Sequence, residues 1–201
     1  MNKIIIVHYE EDQAAVDAFK KQVEHLWYQH VDYTRNAIIS ILGTLGDAAA
    51  VVERLMKNQT EIGMAVAPYY GAGAGEAVAT LLKKHITLIE GVVKNIKEAK
   101  STVELEASLQ ENATDIATFL DSADPDNWPL AVVNDILKKH IECTLAQARS
   151  RAATDWAADF AAFDFCKTNI EMLAYAMANG IVDKFPEAFV MQYSSKVIKK
   201  K

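Results

Sequence analysis

His30, His85 and His140 stand 55 residues apart and then 55 again. Each lies in the same kind of frame: Leu26-Trp27-Tyr28-Gln29-His30-Val31, Leu81-Leu82-Lys83-Lys84-His85-Ile86 and Ile136-Leu137-Lys138-Lys139-His140-Ile141. Two large apolar residues precede each histidine by four and three positions, and a β-branched residue follows. A fixed period with a matching frame marks a repeated unit that cannot bury its apolar face alone, so the copies must pack together.

The unit is helical. Val16, Phe19, Val23, Leu26, Trp27, Val31, Ile38 and Ile41 follow the three-and-four spacing of an amphipathic helix, and equivalent stripes recur around His85 and His140. Strand-type alternation is nearly absent, and eight Gly and four Pro in 201 residues leave few breaks. Breaks fall at Gly43–Asp47, Pro68–Gly75, Glu98–Lys100, Asp124–Pro129 and Arg151–Thr154, with Asn179-Gly180 closing the last helix. Ser101-Thr102-Val103-Glu104 has the spacing of a capping box. The expectation is an all-α, single-domain chain over 1–201. It is a bundle of six main helices in three repeated antiparallel hairpins (about 11–66, 67–120 and 121–180), with a closing segment at 181–201. Periodicity does not separate a closed bundle from an open array.

In an antiparallel hairpin, the residue level with each histidine lies equally far beyond the turn. Reflection through turn centres near 44–45, 98–100 and 154–155 offers Asn58, Asn112 and Asn169, or else Glu61, Asp115 and Glu171. Helical angle places Asn58 and Asn112 nearer their apolar stripes. The expected arrangement is three structural polar layers, His30 with Asn58, His85 with Asn112 and His140 with Asn169. Each histidine then faces its own asparagine rather than the other two histidines, and each pair fixes hairpin register. The alternative is a transition-metal ion held by His30, His85 and His140 about a pseudo-threefold axis. A di-iron carboxylate site is a weaker alternative still, because it wants inward Glu-x-x-His pairs and none occurs.

Other features carry less. Gly71-Ala72-Gly73-Ala74-Gly75 lacks the preceding strand and the Gly-Lys-Ser/Thr of a phosphate loop, so it reads as a connection. Arg35 has no counterpart in the other copies and reads as a salt-bridge partner, or as an anion contact in a ligand pocket between hairpins. Trp27, Trp128, Trp156 and Phe163 read as core packing. Cys143 and Cys166 lack CxxC spacing and read as reduced, packed thiols, which fits a cytoplasmic setting. A net charge of −6 gives no general basis for nucleic-acid binding, and the basic run ending at Lys201 reads as a solvated tail. The apolar start, Met1 to His8, is too short to span a membrane, and no other run approaches that length. It reads as an arm packed on the bundle or a short extended segment.

Four segments together resemble an uncharacterised family of small bacterial all-helical proteins. They are Trp27 to Arg35, Pro68-Tyr69-Tyr70-Gly71, Ala123 to Pro129, and Gly180-Ile181-Val182-Asp183-Lys184-Phe185-Pro186. The resemblance spans about residues 20–190 and implies an all-helical fold. Some members carry names such as acetylglutamate kinase or glycosyltransferase, which need an α/β pattern or a nucleotide loop that this sequence lacks. The family pattern has a histidine where this chain has Asn169. The leading functional expectation is a non-enzymatic structural or interaction module, with a protein partner or self-association and no cofactor. The alternatives are metal binding by the three histidines and a small-ligand binder or enzyme.

Overall fold

Long runs with apolar stripes on one face fold as helices that bury those stripes against one another. The computed structural model describes residues 12–190. The apolar start at 1–10 and the basic run to Lys201 lie outside the described residues. Six α-helices follow in order: α1 (Gln13–Leu42), α2 (Ala48–Tyr70), α3 (Ala72–Lys97), α4 (Val103–Ala123), α5 (Leu130–Ala152) and α6 (Trp156–Lys184). A 3-10 turn, Pro186–Phe189, follows α6. Asp12 and Asp155 cap α1 and α6, accepting from the backbone N–H groups of Ala15 at 3.1 Å and Ala158 at 3.0 Å.

Each helix packs on its sequence neighbours, and α6 also packs on α1, so the six close into a ring. The odd-numbered helices meet one another at the centre. Their buried side chains stack in layers at the 55-residue spacing: Val23, Val78, Val133; Trp27, Leu82, Leu137; His30, His85, His140; Thr34, Ile89, Thr144; and Ile38, Val93, Ala148. The closed form settles what periodicity left open.

The turns recur at the same spacing. At α1–α2, α3–α4 and α5–α6 the same two backbone bonds form: Thr44 to Ile41 and Leu45 to Ser40, Ala99 to Ile96 and Lys100 to Asn95, and Thr154 to Arg151 and Asp155 to Ser150. This is the Schellman closure, which needs a left-handed residue. Here Thr44, Ala99 and Thr154 hold it, at φ of 54°, 53° and 60°.

Three boundaries differ from the expected ones. The connection expected over Pro68–Gly75 is the single residue Gly71, at φ 90°. Pro68 sits in the last turn of α2, and the following glycines open α3. Gly75 lies so close to Gly63 of α2 that a Cβ on either would strike the other's backbone carbonyl. These glycines serve a helix crossing. Likewise Asn179-Gly180 does not end α6. Gly180 lies under the Trp128 indole, whose Nε1 donates to the Ala176 carbonyl at 3.0 Å, and the helix continues to Lys184. Finally, α4 starts after Thr102, with no side-chain cap bond, so the expected capping box is not formed.

Trp128 and Trp27 are core residues as expected and Phe163 packs partly buried against the core, but Trp156 is 52% exposed, beside Phe160 of the same helix at 57%. Both lie beside guanidinium groups on the outer face of α6, Trp156 near Arg151 and Phe160 near Arg35. The piece after α6 closes back as expected as far as residue 190. Phe189 packs on Phe19 and Tyr69, and its carbonyl accepts from the Asp12 N–H at 2.7 Å.

Two glycine exchanges should move stability in opposite directions. Gly63→Ala gains helix propensity but drives a methyl into α3, and should lose about 2 kcal/mol. Ala99→Gly should gain about 1 kcal/mol by relieving the left-handed residue. Urea denaturation of both variants checks the signs.

Candidate functional site

The three histidines project from α1, α3 and α5 into one fully buried layer. The His30 and His140 Nε2 atoms are 3.3 Å apart. Ring centroids are separated by 5.3 Å for His30–His140, 5.9 Å for His85–His140 and 6.4 Å for His30–His85. This corrects the expectation that each histidine would keep to its own hairpin. The odd-numbered helices are the inner ones, so a residue on their core faces meets its equivalents at the axis.

The asparagines are where reflection put them: Asn58, Asn112 and Asn169 are buried on the facing helices. Their rejected rivals turn outward, Glu61 toward Arg54, Asp115 toward Lys84 and Glu171 toward Tyr28. The Tyr28–Glu171 hydrogen bond is the first cause that pushes the Tyr28 hydroxyl up to about 12.

The three hairpins differ in how the asparagine meets the imidazole. His85 Nδ1 lies 3.3 Å from Asn112 Oδ1, while Asn112 Nδ2 donates to the Leu81 carbonyl at 3.1 Å. This pair is the expected one. In the first hairpin Asn58 Nδ2 donates in the same way to the Leu26 carbonyl, at 3.0 Å. However, His30 Nδ1 meets Gln59 Oε1 at 3.2 Å, and Gln59 Nε2 donates to Asn58 Oδ1 at 3.1 Å. Gln59 thus stands between the expected partners. Ala113 and Ile170 follow the other two asparagines, so the sequence marks Gln59 as the odd member of its set. In the third hairpin the bond is open: His140 Nδ1 and Asn169 Oδ1 are both buried without a partner.

These contacts fix tautomers. Gln59 and Asn112 offer carbonyl oxygens, so His30 and His85 carry their protons on Nδ1 and keep a lone pair on Nε2. Burial, followed by the neighbouring His85, pushes His30 down to about 3. Burial pushes His85 down to about 4. Burial, then His30 and His85, holds His140 well below the usual histidine range. All three rings are therefore neutral at ordinary pH, the form in which imidazole binds a metal.

Cys143 and Cys166 are joined in a disulfide between α5 and α6, with Cα atoms 5.6 Å apart. The expected reduced thiols are thus corrected, and with them the cysteine argument for a reducing compartment. The signal was legible: the reflection that sets His140 opposite Asn169 also sets Cys143 opposite Cys166. Among the described residues, one set of three metal-ligating side chains has its donor atoms all within 4.8 Å of one another: His140, Cys143 and Cys166.

Arg35 is a salt-bridge partner, the first of its two expected readings. Its Nη1 and Nη2 donate to the two carboxylate oxygens of the fully buried Asp159, at 2.9 and 3.1 Å. Arg151 adds a third bond at 2.9 Å, and the Phe163 ring lies 4.4 Å from the Arg35 guanidinium carbon. With both nitrogens engaged, Arg35 offers little to an anionic ligand. No described helix is long and apolar enough to cross a membrane. No protein-family model, curated protein or solved structure matches this chain.

Two outcomes follow. Asp159→Ala strands two guanidinium groups and should cost about 3 kcal/mol or more. The histidines should make the fold acid-sensitive. Their folded pKa values lie below the ordinary 6.5, so protons favour the unfolded chain. Stability is complete above pH 6.5 and is lost as pH falls toward 4. Each group contributes up to about 1.4 kcal/mol per pH unit. Urea unfolding without added metal should show a loss of roughly 4 kcal/mol between about pH 7.5 and about pH 5.5, with about a third of it removed by His85→Asn.

Proposed function

We propose that this protein holds one divalent transition-metal ion at the centre of its helical ring, ligated by Nε2 of His30, His85 and His140. The observation that carries the reading is the 3.3 Å approach of the His30 and His140 Nε2 atoms. His30 already carries its proton on Nδ1, so its Nε2 faces His140 as a lone pair. Without an ion, His140 must place its proton on Nε2, which leaves its buried Nδ1 unsatisfied at a cost of about 1–3 kcal/mol. With an ion, His140 turns its proton to Nδ1, where Asn169 Oδ1 is free to accept it. Both stranded atoms are satisfied, and the third copy then matches the second.

The spacing supports the same reading. Metal–nitrogen bonds of about 2.0–2.1 Å in a tetrahedral site set neighbouring donors roughly 3.4 Å apart. His85 stands further off and has to close on the ion. Gln59 and Asn112 hold the outer nitrogens of their imidazoles, the arrangement that fixes ring orientation around bound metals. All-imidazole donors suit zinc, copper, iron or nickel more than calcium or magnesium.

The surroundings favour a non-catalytic use. The voids above and below the layer, beside Trp27 and Leu82 and beside Ile38 and Ile89, measure about 10 Å³ each. Such a void takes about one water molecule and no substrate. The ion would tie together three inner helices from three hairpins. We further read the chain as a triplicated hairpin, on the shared spacing of its histidines, core layers and turn closures.

Zinc titration of the oxidised, metal-stripped protein tests this. One equivalent should bind and raise the thermal midpoint. Asn112→Ala should weaken binding by roughly 10–100-fold. His85→Asn should abolish the stabilisation. No stoichiometric binding of zinc, copper, nickel or iron would overturn the reading and leave the three rings as a polar layer that fixes helix register.

A further inference from the structure

The disulfide lies beside the histidine layer, and its neighbourhood has the donors of a second metal site. Cys143 is one turn beyond His140 on α5, and Cys166 faces it from α6. A ring nitrogen of His140 and both sulfurs lie within 4.8 Å of one another. All three residues are buried, and the same imidazole carries the unpartnered Nδ1. We propose that reduction of Cys143–Cys166 opens a site for a thiophilic divalent cation of the zinc class, ligated by His140, Cys143 and Cys166.

The chemistry balances with a dithiol as reductant. One thiolate of the dithiol attacks a protein sulfur, the S–S bond breaks, and the second thiol resolves the mixed disulfide. The products are two cysteine thiols and the oxidised, cyclic dithiol. Binding of the cation then replaces the two S–H protons, which pass to water, and leaves two thiolates on the metal. Two thiolates and one imidazole, with a fourth position for water, are a common zinc donor set.

The geometry suits the exchange. Once the S–S bond is broken the sulfurs must separate, and across a tetrahedral zinc with bonds of about 2.3 Å they sit roughly 3.8 Å apart. Cα atoms at 5.6 Å on two packed helices permit this by side-chain rotation. The buried thiols would otherwise lack strong partners: Cys143 Sγ lies 3.1 Å from the His140 carbonyl, and Cys166 Sγ lies 3.8 Å from Thr144 Oγ1. The site uses His140 but neither His30 nor His85. It therefore stands apart from the three-histidine reading and competes with it for one ring.

Cobalt(II) reports the donors directly. The full-length protein is reduced with dithiothreitol, desalted without oxygen, and titrated with cobalt, in parallel with the oxidised form. The reduced protein should develop the thiolate-to-cobalt charge-transfer band of the near ultraviolet at one equivalent, and zinc should displace it. The oxidised protein should lack that band. Cys143→Ser and Cys166→Ser, each checked for helix content by circular dichroism, should lose most of the band, while His85→Asn should keep it. A folded, reduced wild type without the band overturns the proposal, as does a full band in either cysteine variant. Failure of the three-histidine reading would show instead in the oxidised protein, as absence of metal binding there.

Discussion

Everything at the centre of this protein depends on keeping three imidazoles neutral inside an apolar ring of helices. A buried polar ring is tolerated only when its donors and acceptors find partners. Two of the three rings have an amide carbonyl on Nδ1, and that single contact decides which nitrogen faces the axis. The third ring lacks it: its buried Nδ1 on α5 has no partner, and neither has the Asn169 oxygen on the facing helix α6. The site is thus complete in two parts and open in the third. Trp27, Leu82 and Leu137 are buried on one side of the layer, and Ile89 with Thr34 and Thr144 on the other.

Much of this was legible from spacing alone. The 55-residue period gives the hairpin count, the turn positions and the histidine level, because each follows from apolar stripes and breaks that local chemistry imposes. Reflection through the turns offered asparagines and acids alike, since antiparallel helices advance at equal rates from their turn; helical angle favoured Asn58 and Asn112, and all three asparagines are buried. Arg35 found a carboxylate on a neighbouring helix, as an unmatched guanidinium near a core must.

What the spacing missed lies between hairpins. Reflection relates residues within one hairpin and is silent on ring closure. The convergence of His30, His85 and His140 therefore could not be read from it, although it follows once α6 packs on α1. Gln59 has no polar counterpart at Ala113 or Ile170, so the spacing gives it no mark. A glycine in sequence reads as a helix end, yet Gly180 under Trp128 and Gly75 against Gly63 are points of close approach. One residue type serves both needs, and only the packing partner distinguishes them. The cysteine pair was visible by the same reflection, but its spacing matched no metal or redox motif.

The two proposed metal sites would share His140. X-ray absorption fine structure at the zinc edge of the oxidised, zinc-loaded protein tests the central claim most directly. The account predicts an inner shell containing three imidazole nitrogens at about 2.0–2.1 Å, with the ring carbons behind them. A shell of oxygen donors without imidazole scattering, as for zinc held on surface carboxylates, would contradict it.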